Sequence, residues 1–155
     1  MKEKEKLLRQ LNRELEALLG EERNMIANLA NASALLFNSL PDLNWSGFYL
    51  ISGDQLIMGP FQGKPACVRI PVGKGVCGTA FRDRKTYVVP DVHEFPGHIA
   101  CDEASQSEMV IPIMVEGEPV GVMDLDSPIK SRFDEIDQKY LEEFVKILIE
   151  KTDFI

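Results

Sequence analysis

The sequence lacks an excess of positive charge and any long hydrophobic run. It has 17 Lys and Arg residues against 25 Asp and Glu residues, which gives a formal net charge of −8 at pH 7. Nucleic-acid binding depends on basic side chains that neutralise phosphates, so this balance argues against a nucleic-acid partner. No stretch of about 18 apolar residues could span a membrane, and the charged N-terminus lacks the apolar core of a signal peptide. We therefore expect a cytoplasmic protein without a membrane partner.

Cysteine and histidine are also scarce, with three Cys and two His residues. An odd number of cysteines in a reducing compartment argues against a permanent disulfide framework. The cysteines are Cys67, Cys77 and Cys101, and no two of them have the close spacing of a zinc site. Even with His93 or His98 as a further ligand, we expect neither a metal nor a cofactor. Redox use of the thiols and simple burial both remain open.

The length and composition favour one compact unit. A chain of 155 residues with 45% hydrophobic residues is long enough to bury a sizeable core. We expect a single catalytic domain over residues 1–155.

Hydrophobic spacing predicts helices at both ends of the chain. Leucines recur at helical intervals over residues 4–19, and Gly20 ends that pattern. A second helix is predicted from Met25 to about Asn38, and a closing helix over about residues 135–151, with Asp134 as its N-cap. The first helix carries more apolar positions than a lone surface helix needs, which favours a homodimer.

The middle of the chain has the pattern of β-strands. Residues 45–58 form a predicted hairpin with its turn at 52–55, and further strands are predicted over 66–70, 86–89, 109–115 and 120–125. A short helix is predicted over 75–81. The expected fold is α+β, with a central antiparallel sheet and the N- and C-terminal helices packed on one face.

The stretch HIACDEASQSE, residues 98–108, places Cys101 among polar side chains. This composition is typical of a loop. A buried cysteine behaves as a small hydrophobe, whereas an exposed loop cysteine is a candidate for chemistry.

Alternation along strands places Asp124 and Asp126 on one face of their strand, and Trp45 and Tyr49 on one face of theirs. The acids could be a solvated strand end, and the aromatic pair could be packing. If both faces instead meet Cys101, crowded carboxylates would retain a proton at neutral pH. A neutral acid beside a thiol suits the reduction of an oxidised sulfur.

Five blocks together resemble one known family. They are NWSGFYL (44–50), GPFQGKPACVRI (59–70), GVCGTA (75–80), HIACDEASQSE (98–108) and GVMDLDSP (121–128). The combination resembles the free methionine-(R)-sulfoxide reductases, which are single-domain enzymes with the GAF fold. The resemblance implies a thiol-dependent reductase that acts on free L-methionine-(R)-sulfoxide.

The resemblance also implies a role for each cysteine. Cys101 matches the nucleophile that takes the sulfoxide oxygen as a sulfenic acid. Cys67 matches the resolving cysteine, and thioredoxin would reduce the disulfide formed between Cys67 and Cys101. Cys77 matches a third cysteine that can assist recycling, although its apolar neighbours also suit a buried thiol.

The remaining matched residues would form the substrate site. Glu108, Asp124 and Asp126 correspond to carboxyl groups that hold or protonate the sulfoxide oxygen. Trp45 and Tyr49 correspond to the aromatic residues that receive the methyl end.

Two other functions remain open from the sequence. A non-catalytic GAF module could use the same aromatic and acidic residues to bind a small ligand without any need for Cys101. The chain could also be an enzyme for another substrate, with inert cysteines.

Overall fold

A computed structural model describes residues 2–99 and 101–154. Its elements in chain order are α1 (Lys2–Leu19), α2 (Met25–Ser39), β1 (Trp45–Ser52), β2 (Gln55–Gly63), β3 (Arg69–Pro71), α3 (Gly75–Asp83), β4 (Tyr87–Val89), a 3-10 turn (Val92–Glu94), β5 (Ser107–Val115), β6 (Glu118–Ser127) and α4 (Glu135–Lys151).

The six strands form one sheet in the order β3-β2-β1-β6-β5-β4. Every neighbouring pair is antiparallel. The strands β1 and β6 therefore lie at the centre, and the two hairpins β1–β2 and β5–β6 meet there.

The two faces of the sheet carry separate hydrophobic clusters. On one face, α1, α2 and α4 pack with the inward side chains of the sheet, among them Phe48, Met123 and Leu125. On the other face, α3 packs over a cluster that includes Trp45 and Tyr49. This arrangement confirms the predicted α+β fold, with the terminal helices on one face.

The predicted helix ends are also confirmed. Asp134 accepts hydrogen bonds from the backbone N–H groups of Ile136 and Asp137, and the Asp137 side chain accepts one from the N–H of Asp134. This reciprocal capping box satisfies amide groups that the first turn of α4 would otherwise leave without partners.

Several predicted strand boundaries were wrong, among them the end of the second strand, which runs to Gly63 rather than to Met58. The strand predicted over 66–70 begins only at Arg69, because Cys67 leaves the ladder: its sulfur is bonded to Cys101 and its carbonyl accepts a hydrogen bond from the Tyr49 hydroxyl. The predicted loop also ends earlier than expected. Ser107 and Glu108 belong to β5, and residue 100 of that loop lies outside the described residues.

Within residues 2–99 and 101–154, no helix has both the length and the apolarity needed to cross a membrane.

Candidate active site

Three strands bring the predicted acidic and aromatic residues into register. Asp126 on β6 lies directly opposite Glu108 on β5 and directly opposite Trp45 on β1. Asp124, two residues earlier on β6, lies opposite Val110 and Gly47. Because strand side chains alternate with a period of two, the three carboxyl groups and Trp45 share one face of the sheet.

The acids are not a solvated strand end. They lie at the centre of the sheet, with Asp124 only 5% exposed and Glu108 only 7% exposed, while Asp126 is half-buried. The alternative of a solvated strand end is therefore wrong, and β6 also has a neighbouring strand on both sides.

A pocket opens on this face between the sheet, the start of α3 and the segment that carries Cys101. The predicted site residues that line it are Trp45, Tyr49, Cys77, Cys101, Glu108, Asp124 and Asp126. Folding thus brings together residues that lie up to 81 positions apart, from Trp45 to Asp126.

Cys101 is joined to Cys67 by a disulfide bond. Both residues are half-buried, and Cys101 lines the pocket. The Tyr49 hydroxyl donates a 2.8 Å hydrogen bond to the carbonyl oxygen of Cys67, so the aromatic wall also holds the backbone of the disulfide partner.

Cys77 is the free cysteine among the described residues, and it is buried. It belongs to the first turn of α3, and its thiol lies 3.9 Å from Oε2 of Glu108 as a hydrogen-bond donor. The third cysteine is therefore part of the acidic site rather than of the disulfide.

Aromatic stacking fixes the wall of the pocket. The Trp45 ring stacks on Tyr49, with ring centroids 5.8 Å apart, and on Phe61, with centroids 5.1 Å apart. Sequence reasoning missed Phe61 because it ended the second strand at Met58. Gly47 makes room for the stack, because a Cβ there would lie 2.3 Å from the Cβ of Phe61.

Burial and charge repulsion raise the pKa values of the acids in this cluster. The pKa of Glu108 is raised well above its usual range, first by burial and then by the charges of Asp124 and Asp126. Burial, followed by the charge of Asp124, raises the pKa of Asp126 in the same way. Burial also raises the pKa of Asp124 and of the Cys77 thiol. The cluster therefore holds its protons to a higher pH than isolated carboxyl groups do.

The start of α3 also lines this pocket. Lys74, Gly75 and Val76 line it, and the side chain of the N-cap residue Lys74 makes no capping hydrogen bond within the described part of the chain. The first amide groups of a helix have no intrahelical partners and carry the positive end of the helix dipole. Sequence reasoning missed these residues, although the glycine that opens the helix was a possible signal.

A group of three residues has the geometry to hold a metal ion. One donor atom each from Cys77, Glu108 and Asp124 lies within 4.8 Å of the others. A cation would have to displace the protons that burial retains on these groups, because metal ligands must be deprotonated.

Sequence and structure comparisons relate the chain to known proteins. The GAF domain family matches residues 3–148. Protein YtsP of Bacillus subtilis is 59% identical over 148 residues, which cover 94% of this chain and 91% of that protein. Free methionine-R-sulfoxide reductase of Escherichia coli is 53% identical over 135 residues, which cover 87% and 82% of the two chains. A solved structure of fRMsr of Staphylococcus aureus in its reduced form is 52% identical, with a TM-score of 0.91 and coverage of 93% and 94%.

These matches extend over most of the chain. Their sequence identities are far above the level at which two proteins share only a fold. The chain therefore belongs to the GAF family and, within it, to the free methionine-R-sulfoxide reductases.

Proposed function

We propose that this protein reduces free L-methionine-(R)-sulfoxide to L-methionine, with Cys101 as the nucleophile and Cys67 as the resolving thiol. One observation supports the proposal most strongly: Cys101 lines a pocket of protonatable acids and is bonded to Cys67. The substrate and its (R) configuration come from the family to which the chain belongs.

The first step transfers the sulfoxide oxygen to the enzyme. The Cys101 thiol loses its proton and its sulfur attacks the sulfoxide sulfur, while an acid protonates the oxygen. The S–O bond of the substrate and the transient S–S bond then break as the oxygen becomes bonded to Cys101. One thiol and one sulfoxide are converted to one sulfenic acid and one thioether. The enzyme sulfur is oxidised by two electrons and the substrate sulfur is reduced by two.

The second and third steps restore the thiol. The Cys67 thiol displaces water from the Cys101 sulfenic acid and closes the disulfide. A dithiol reductant, which we propose to be thioredoxin, then exchanges its own thiols for this disulfide and leaves Cys67 and Cys101 reduced.

The buried carboxyl groups supply the proton in the first step. A sulfoxide oxygen becomes a good leaving group only when it is protonated. Burial, followed by the charge of Asp124, raises the pKa of Glu108 and of Asp126, so both keep their protons to a higher pH than ordinary carboxyl groups do. Any carboxyl group of the cluster that is ionised disfavours a thiolate at Cys101. Activation therefore acts mainly on the substrate.

The pocket also suits a free amino acid. It combines carboxyl groups with Lys74 and the amide groups at the start of α3, so it can receive an ammonium group and a carboxylate in one small volume. A residue within a peptide has neither charge on its backbone. Trp45 and Tyr49 then form the apolar wall for the methyl end.

Cys77 takes a supporting part in this proposal. Its thiol is buried and donates to Glu108, so it helps to hold that carboxyl group rather than to form the turnover disulfide. The single catalytic domain over residues 1–155, the homodimer and the cytoplasmic location stay predictions.

Cysteine variants test the nucleophile. Reduced protein is mixed with one equivalent of free methionine-(R)-sulfoxide, and the methionine released is measured together with the disulfide formed. The wild type should release about one equivalent and form the linkage between Cys67 and Cys101. Cys101→Ser should release none, and unchanged release by this variant would eliminate the proposed nucleophile.

Cys67→Ser separates reduction from recycling. It should still release about one equivalent of methionine, but it should lose multiple turnover with thioredoxin. A wild-type protein that stays fully reduced after treatment with substrate would instead favour a GAF module that only binds its ligand.

Blocked substrates test the class of ligand. N-acetylmethionine-(R)-sulfoxide lacks the ammonium charge, and the methyl ester of methionine-(R)-sulfoxide lacks the carboxylate. Each should lower kcat/KM by about tenfold or more relative to the free amino acid. Equal rates for all three compounds would reject recognition of both charges.

A further inference from the structure

We propose that Asn44 is a positioning residue of the reductase: its side-chain amide holds the segment that carries Cys101 in the place where Cys101 is joined to Cys67. This inference rests on the proposed role of that disulfide in turnover.

The amide of Asn44 contacts this segment at two points. We define the Cys101 segment as residues 101–106. The Asn44 side-chain nitrogen donates one 3.0 Å hydrogen bond to Oδ2 of Asp102 and another 3.0 Å bond to Oγ of Ser105. Both N–H groups of the amide are thus directed at one short segment.

Asn44 itself is held by the central sheet. Its backbone N–H donates a 3.0 Å hydrogen bond to the carbonyl of Asp126, just before β1 begins at Trp45. Because Asp126 and Trp45 both line the pocket, the amide ties the Cys101 segment to the strands that carry the substrate site.

The contacts are placed where they control the start of the segment. At its far end, Gln106 is fixed by backbone bonds to Ser127 and Val92. Asp102 is the residue next to Cys101, and its other carboxylate oxygen accepts a 2.9 Å bond from the N–H of Ala104. The Asn44 contacts therefore lie between the fixed end and the reactive sulfur.

Both hydrogen bonds from the Asn44 amide are of kinds that contribute strongly to holding a segment in place. The bond to Asp102 joins a donor to a carboxylate, and charge-assisted bonds are about twice as strong as neutral ones. Ser105 is only 8% exposed, so its hydroxyl would lose a partner that water replaces poorly if the amide were removed.

These contacts act on the redox equilibrium if the segment moves when the disulfide opens. Interactions that are stronger in the disulfide form than in the dithiol form stabilise the disulfide. The stabilisation equals the difference in interaction free energy between the two forms. Loss of the amide should then favour the dithiol form, without removing any group that reacts with substrate.

The test is an exchange equilibrium with dithiothreitol. In this reaction the protein disulfide and the reduced reagent give the protein dithiol and the cyclic disulfide of the reagent, and alkylation followed by mass measurement counts the protein thiols. We expect Asn44→Ala to shift the equilibrium about tenfold towards the dithiol, which equals about 30 mV for this two-electron couple. Asn38→Ala is the matched control, because within residues 2–99 and 101–154 its amide bonds only to Ala34 of α2, and it should leave the equilibrium unchanged.

Partner variants keep the inference falsifiable if Asn44→Ala folds poorly. Ser105→Ala removes one of the two acceptors and should give a smaller shift in the same direction. When Ser105→Ala is combined with Asn44→Ala, the additional shift of the equilibrium should be smaller than the shift that Ser105→Ala causes in the wild type. A wild-type equilibrium in Asn44→Ala, or an equal shift in Asn38→Ala, would overturn the inference.

Single-turnover release of methionine separates this inference from the proposed function. Reduced Asn44→Ala should still release about one equivalent, but it should close the disulfide more slowly than the wild type. If the wild type releases no methionine, the proposed function fails, and the exchange equilibrium still reports whether Asn44 holds the disulfide form.

Discussion

Glu108 and Asp126 lie directly opposite each other on β5 and β6, on the face of the sheet that lines the pocket. Like charges in such a position are destabilising. Burial raises the pKa of both groups, and the charge of Asp124 raises both further. The buried acids therefore lower the stability of the folded protein at the site where a protonated acid is useful.

Replacement of one of these acids should stabilise the protein in a pH-dependent way. Each folded-state pKa lies above the ordinary values of 3.8 for Asp and 4.5 for Glu. Above those values the unfolded chain releases protons that the folded chain retains, so the free energy of unfolding falls as pH rises towards the raised pKa. Asp126→Asn removes this loss and should gain on the order of 1–3 kcal/mol at about pH 7.5.

Urea denaturation of the oxidised protein measures this effect. The advantage of Asp126→Asn should be small at about pH 3, where Asp in the unfolded chain is itself largely protonated. Glu116→Gln is the control, since Glu116 is exposed in the β5–β6 turn and should leave stability unchanged at both pH values. An equal gain at both pH values would reject the explanation by ionisation.

The sequence predicts which acids share a face but not which acids meet. Alternation alone places Asp124 and Asp126 on one side of β6. The neighbour of Asp126 depends on an irregularity in the β5–β6 ladder between Ile113 and Met114, which shifts the register by one residue. Counted back from the turn without that shift, Glu108 would lie opposite Leu125. A bulge of this kind has no clear sequence signal in this hairpin, so the complete cluster could not be predicted.

The cysteines show a similar limit. Composition predicted that Cys101 is in a loop, and the family resemblance implied its pairing with Cys67. The position of Cys77 against Glu108 depends on how α3 packs on the sheet, which is a tertiary contact between distant segments. The contacts of Asn44 have the same origin, and its place before an aromatic strand gave no indication of them.

The rate of the first chemical step should fall as pH rises. The acid must be protonated to act, and it loses its proton as pH passes through the raised pKa of Glu108 and Asp126. Single-turnover release of methionine by reduced protein should therefore decline on the alkaline side, whereas alkylation of Cys101 by iodoacetamide should increase there. A release rate that follows alkylation over the whole range would contradict protonation by these acids.

Glu108→Gln tests the same acid directly. An amide keeps the size of the side chain but cannot transfer a proton, so the single-turnover rate should fall by about a hundredfold or more. The alkylation rate of Cys101 should change little. A similar fall in Glu116→Gln would show that the loss does not come from the pocket.

Cys77 should be unreactive in the folded protein. The residue is 4% exposed, and burial raises the pKa of its thiol well above the usual range, so it carries little thiolate at neutral pH. Iodoacetamide should label reduced Cys67 and Cys101 long before Cys77. Cys77→Ala should keep multiple turnover with thioredoxin and lose about 1 kcal/mol of stability from the missing buried sulfur. Loss of the linkage between Cys67 and Cys101 in this variant would instead assign Cys77 a direct part in recycling.

The position of α3 depends on a residue that has no side chain. A Cβ at Gly78 would lie 2.5 Å from the carbonyl oxygen of Pro71 and 3.0 Å from the backbone nitrogen of Gly73, and neither group can rotate away. The N–H of Gly73 also donates a 2.8 Å hydrogen bond to the carbonyl of Gly78, which ties the start of α3 to the preceding turn. Because Gly75, Val76 and Cys77 at this end of the helix line the pocket, a shift there should disturb the proposed substrate site as well as the packing.

Gly78→Ala should therefore lower the free energy of unfolding by about 1–3 kcal/mol and raise KM for free methionine-(R)-sulfoxide. Thr79→Ala is the matched control, because it changes the next position of the same helix to a better helix former and should cost little. Urea denaturation and steady-state kinetics measure the two effects. If Gly78→Ala unfolds at the wild-type urea concentration with an unchanged KM, the close approach does not hold α3.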